Sequence, residues 1–112
     1  MELYRTIRVV RKRRKLTQKD LCALVGITQT YLSQIEAGDK RPSPELLLRI
    51  STALGLPLPL LIWESLTIED VVPGKEQLFR ELHPYITSML KLIFVEHADD
   101  TREDTKPIKR KG

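Results

Sequence analysis

Apolar residues recur at intervals of three and four along most of this chain, and small polar residues, glycines and prolines punctuate them. In residues 2–15, Leu3, Ile7 and Val10 fall on one helical face, surrounded by Arg5, Arg8, Arg11, Arg13 and Arg14. The cationic last turn suits the negative end of a helix dipole. In residues 17–25, Thr17 is an N-cap, and Asp20 can act as a shorter-armed capping-box acid. Leu21, Leu24 and Val25 supply the apolar stripe, and Gly26 supplies a C-terminal residue that accepts positive φ.

A third helix is predicted from Thr28, its N-cap, to about Glu36. Leu32 and Ile35 point one way, while Gln29, Thr30, Ser33, Gln34 and Ala37 fan over the opposite side. This segment therefore buries a narrow stripe and offers water a face of amides and hydroxyls; Gly38 ends it. Ser43 caps the fourth helix, with Pro44 at the favoured first position, Glu45 in the first turn, and Leu46, Leu47, Ile50 and Leu54 as its stripe. Gly55 stops it. Pro57 or Pro59 opens a fifth short helix through Leu60, Leu61 and Trp63.

Beyond Ser65 the pattern changes. Val71, Val72, Pro73 and Gly74 form a turn signal. Leu78, Leu82, Tyr85, Met89 and Leu92 then recur at gaps of four, three, four and three, a heptad-like seam that Ile86, Ile93 and Phe94 widen. Pro84 lies inside this pattern, so a break or kink is expected near His83. Residues 98–112 are polar, mixed in charge and without apolar periodicity, and are expected to be disordered. With no strong strand pattern, the fold class is all-α.

Charge sharpens this reading. Of the net +4, residues 1–41 hold ten Lys and Arg against four Asp and Glu; residues 42–97 are net acidic. Positive charge gathered in the first third points to a polyanion, nucleic acid first, against the plainer alternative of a solvated basic helix face. A length of 112 residues fits one ordinary domain. A chain this short buries only about two-thirds of its surface and gains from a partner. The single cysteine, Cys22, excludes an internal disulfide framework and fits a reducing, cytoplasmic setting. The N-terminus lacks an apolar leader core, and the longest nearly apolar run, 54–63, is about half a membrane span.

Two short helices meeting at Gly26 make a helix-turn-helix pattern. Leu16-Thr17-Gln18-Lys19-Asp20-Leu21, Val25-Gly26-Ile27-Thr28-Gln29, Leu32-Ser33-Gln34-Ile35-Glu36-Ala37-Gly38, Pro42-Ser43-Pro44 and Ala53-Leu54-Gly55 together resemble the Cro/C1-type (XRE-family) helix-turn-helix domain. The resemblance runs without a gap from about Ile7 to Trp63. It implies a five-helix, lambda-repressor-like domain over residues 1–66; the apolar seam beyond it predicts a C-terminal helical dimerisation segment over 67–97.

The resemblance also implies roles. Gln29, at the start of the third helix, would enter the major groove and pair with adenine; Gln34, Thr30 and Ser33 would assist in reading base edges. Outside the family pattern the same residues would pass for ordinary polar surface. Gln18 and Tyr31 match phosphate-facing positions, and Lys40 and Arg41 in the following loop would meet the DNA backbone. For Tyr31 the alternative is a ring packed on the core edge. Arg11 and Glu36 match an ion pair between the first and third helices; Arg11 is read as mainly structural, with a phosphate contact as a second role.

The chain departs from the family in three places. Lys15 stands where a glycine often precedes Leu-Thr-Gln, so the end of the first helix needs strained or altered geometry. Ala37 replaces a common Asn or Arg, and Cys22 fills a small-residue position as a buried, inert thiol. Neither cofactor nor metal is expected: His83 and His97 are far apart, without cysteine partners, and no phosphate-binding glycine loop occurs. An enzyme is not expected.

The seam formed by Leu78, Leu82, Tyr85, Ile86, Met89, Leu92 and Ile93 is read as a homodimer interface; the alternative is a helix folded back on its own domain. Two functions compete. One is a sequence-specific transcriptional regulator on double-stranded DNA. The other is a protein-interaction module of the antitoxin or anti-regulator type, with a protein partner and weak DNA affinity.

Overall fold

The structure is a computed structural model that describes residues 1–96; the expected disordered tail and His97 lie outside them. Six α-helices follow in order: α1 Leu3–Arg13, α2 Gln18–Val25, α3 Gln29–Glu36, α4 Pro44–Ala53, α5 Leu58–Ser65 and α6 Glu76–Phe94. A 3-10 turn at Ile68–Asp70 precedes α6, and no strand occurs among the described residues. The fold is all-α.

The helix boundaries follow local chemistry. Thr17 and Asp20 exchange hydrogen bonds in a complete capping box: Asp20 N–H donates to Thr17 Oγ1 and Thr17 N–H to Asp20 Oδ2, both at 2.9 Å. Those bonds to Thr17 hold the exposed Asp20 carboxyl below the usual carboxylate range. Thr28 and Ser43 cap α3 and α4 by accepting from Tyr31 N–H and Leu46 N–H, each at 3.1 Å. Caps of this kind stabilise a helix by about 1 kcal/mol each. In the turn before α6, Thr67 and Asp70 repeat the Thr17–Asp20 spacing: Thr67 N–H donates to Asp70 Oδ2 at 2.8 Å, while Asp70 N–H donates to the Thr67 carbonyl at 2.9 Å.

The C-terminal ends of α1, α3 and α4 share one device. In α1, Lys15 N–H donates to the Lys12 carbonyl and Leu16 N–H to the Arg11 carbonyl, which is a Schellman closure. α3 closes likewise through Gly38 and Asp39, and α4 through Gly55 and Leu56. The closing residue has φ +85° at Gly38 and +75° at Gly55, but in α1 it is Lys15, at +63°. The expected strain therefore falls on Lys15.

α1 packs on α3 and α5, α2 on α3 and α4, and α4 on α5. Ile7, Val10, Leu21, Val25, Leu32, Ile35, Leu46, Ile50, Leu54, Leu60 and Leu61 fill the shared core. Leu24 departs from its predicted stripe: it is 61% exposed, since Leu21 and Val25 already meet α3 and α4 and a narrow helix cannot turn a third row inward. The expected break at His83 is also absent. α6 runs unbroken through Pro84, which is exposed, so its ring and the backbone bond it removes both lie on the solvent side.

α6 docks on α5 by a face the apolar seam does not include. His83 stacks on Trp63 with ring centroids 4.6 Å apart and tilts against Phe79 at 4.7 Å. Trp63 Nε1 donates to Thr87 Oγ1 at 2.8 Å, and Thr87 Oγ1 donates to the His83 carbonyl. His83 Nε2 meets the Trp63 carbonyl at 2.8 Å. Glu64 of α5 lies between Lys91 of α6, at 3.7 Å, and Arg13 of α1, at 3.9 Å. Leu90 packs against the core and Val95 is buried in it. Leu78, Leu82, Tyr85, Met89, Leu92 and Ile93 consequently face solvent, while Ile86 is half-buried at the margin.

Candidate nucleic-acid interface

α2 and α3 are joined by Gly26 and Ile27, with Gly26 at φ +78°. A Cβ there would meet nothing within 4 Å, so the glycine answers to backbone conformation and not to space. α3 is oriented from inside: Leu32 and Ile35 are 0% and 1% exposed, and each anchors it by about 1.5–3 kcal/mol. Gln29 and Thr30 at the N-terminal end of α3 are exposed. Gln34 is half-buried near the other end, where its carbonyl accepts from Asp39 and Lys40 N–H. Tyr31 is half-buried and packs against the core. Lys40 and Arg41 are exposed in the loop after α3.

The Arg11–Glu36 pair is present and bidentate. Arg11 Nε donates to Glu36 Oε2 at 2.7 Å and Nη2 to Oε1 at 3.1 Å, while Nη1 donates to the Leu16 carbonyl at 2.8 Å. The residues are 6% and 3% exposed. Three of the five guanidinium N–H groups of Arg11 are thus engaged inside the fold, where they tie α1, α3 and the loop before α2 together. A buried pair costs much desolvation, and its value lies in fixing relative orientation.

Sequence reasoning missed what extends this pair. Gln18 Nε2 donates to Glu36 Oε1 at 3.0 Å, and Ser33 Oγ donates to Gln18 Oε1 at 3.0 Å. Gln18, expected at a phosphate, and Ser33, expected at a base edge, are thus tied to each other across the α2–α3 junction. Gln29 and Thr30 stand apart from this chain. A Gln, an acid and a Ser that converge once α2 crosses α3 carry no signal in linear spacing.

Cys22 is buried behind the same junction. Burial pushes its thiol up, and the Glu36 charge adds to the effect. The group is therefore a neutral packing element near neutral pH. No cluster of three His, Cys, Asp or Glu side chains able to hold a metal occurs among the described residues. No single described helix is long and apolar enough to cross a membrane.

Comparison with known proteins agrees with the geometry. Residues 7–61 match the model of a helix-turn-helix family. The chain is 31% identical over 70 residues to the immunity repressor protein of Bacillus phage phi105, an alignment covering 62% of this chain. The chain spans about half, 49%, of that repressor's length. With capped α2 and α3 meeting at a left-handed glycine and α3 seated by Leu32 and Ile35, residues 7–61 fold as a helix-turn-helix similar to that family.

Proposed function

We propose that this protein is a sequence-specific DNA-binding transcriptional regulator that inserts α3 into the major groove. The observation that carries the reading is the two-sidedness of α3: a buried Leu32–Ile35 stripe fixes the helix while Gln29 and Thr30 stand exposed at its N-terminal end. The major groove admits one such helix, and a Gln side chain presents the donor and acceptor that adenine N7 and N6 require. In this reading Gln29 and Thr30 lead base readout and Gln34 follows. Ser33 takes part only when its bond to Gln18 opens. Lys40, Arg41, Tyr31 and Gln18 meet phosphates and set register without reading sequence. The repressor named among the chain's relatives supports the same class.

The regulator acts as a homodimer joined through α6, on a palindromic operator. From Leu78 to Leu92 the seam is roughly 21 Å long at 1.5 Å per residue, and it lies on the face opposite the one docked on α5. Exposed apolar surface of this regularity marks an interaction site. A second copy supplies the two-fold symmetry that paired half-sites require.

Selection of bound duplexes from a random DNA pool tests both parts. Enrichment of a palindrome is expected. Enrichment of an unpaired half-site contradicts the dimer, and absence of enrichment contradicts base readout. In the last case, the exposed seam favours the protein-interaction module, with α6 holding a different chain.

A further inference from the structure

Beside the recognition helix, the cationic face of α1 opens onto a cleft of about 260 Å³. Arg8 and Lys12 stand on its α1 side, Gln18 on its α2 side, and Ser33 and Ala37 on its α3 side. Its interior is close to neutral. The Arg11 charge is matched by Glu36, and Gln18 and Ser33 satisfy one another. Ala37 contributes only a methyl group, which leaves the recess open. The unmatched charge is thus that of Arg8 and Lys12, both exposed and without an ion-pair partner among the described residues. They lie four residues apart on α1, hence one turn apart on one face, a like-charge spacing that mildly destabilises a helix unless an anion sits between them.

We propose that Arg8 and Lys12 form a clamp for a backbone phosphate of DNA, flanking the groove that α3 enters. The inference rests on the DNA-binding reading above and goes further. It moves the α1 phosphate contact from Arg11, whose nitrogens are engaged inside the fold, to its two solvent-facing neighbours. The ligand is a phosphodiester and not a base edge: two flexible cations over a recess lined by satisfied groups recognise charge, with no donor–acceptor pattern to discriminate bases. The cleft reaches Ser33 and Ala37 of α3, so a strand held there runs alongside the helix whose glutamine reads the bases.

The test is a salt titration of DNA binding by the unmutated chain and by the double variant Arg8→Gln with Lys12→Gln. Two duplexes serve as probes, the sequence enriched from the random pool and a scrambled version. Each lost phosphate contact lowers the slope of log affinity against log salt by about 0.9. With one phosphate released, the double variant should therefore fall in affinity roughly 3.5-fold less than the unmutated chain between about 50 and about 200 mM salt. It should weaken on both duplexes alike at low salt and keep its sequence preference and its melting transition. Arg49→Gln, an exposed cation on α4, should leave the slope unchanged. An unchanged slope in the double variant overturns the clamp. Weakening confined to the enriched duplex also overturns it, because base readout would then be the role of these residues. Failure of the unmutated chain to bind either duplex refutes the DNA reading itself, and the clamp with it.

Discussion

With glycine at position 15 this protein should be more stable than with alanine there. Lys15 holds φ +63° as the residue that closes α1, a conformation that costs a residue with a Cβ about 1–2 kcal/mol relative to glycine. Its side chain is exposed, so little packing is lost. Two effects oppose the gain. Glycine has a freer unfolded chain, worth about 0.4–1 kcal/mol, and removing a cation from the end of α1 gives up about 0.3–1 kcal/mol of dipole interaction. Comparison of Lys15→Gly with Lys15→Ala cancels the charge and leaves the backbone difference, about 0.5–1 kcal/mol in favour of glycine. For a domain of this size that is a rise of roughly 2–8 °C in melting temperature. Urea denaturation of both variants, followed by far-ultraviolet circular dichroism, measures the difference. Equal midpoints, or a more stable alanine variant, would refute the view that Lys15 carries strain which Gly38 and Gly55 avoid.

Other consequences follow from the same structure. Arg11→Ala strands Glu36, 3% exposed, without its main partner, and should destabilise by about 3–5 kcal/mol; joint replacement by Arg11→Met and Glu36→Leu should recover most of that, as read by chemical denaturation. The Asp20 carboxyl titrates below its unfolded value of about 3.9, so the stability it contributes is fully present above pH 4 to 5 and lost as pH falls through the folded value. Asp20→Asn should accordingly flatten the acid limb of a stability–pH profile. Leu82→Asp with Met89→Asp places charges on the exposed face of α6 and should yield a folded monomer by sedimentation at micromolar concentration, where the unmutated chain sediments as a dimer.

Much of the fold was legible because its signals are local. Thr17, Thr28 and Ser43 announce helix starts, Gly26, Gly38 and Gly55 announce ends, and intervals of three and four name most of the core. What escaped depends on tertiary neighbours. The stripe in α2 over-counted Leu24, because inward direction is set by where α3 and α4 lie. Pro84 marks a break in isolated sequence, yet the bond it removes lies on the outer side of a helix held by Trp63, His83 and Thr87 on its inner side. At the interface, Gln29 and Thr30 were readable from helical phase. The partners of Gln18 and Ser33 were not, because they converge from two helices.

The central claim is that Gln29 on α3 reads a base. The direct measurement is the affinity of the unmutated chain and of Gln29→Ala for the enriched duplex and for duplexes substituted at single base pairs. A glutamine paired with adenine contributes about 1–3 kcal/mol of discrimination. The variant should lose that preference at one position in each half-site and keep it elsewhere. If every substitution discriminates as strongly in the variant as in the unmutated chain, Gln29 does not read DNA and the account is contradicted.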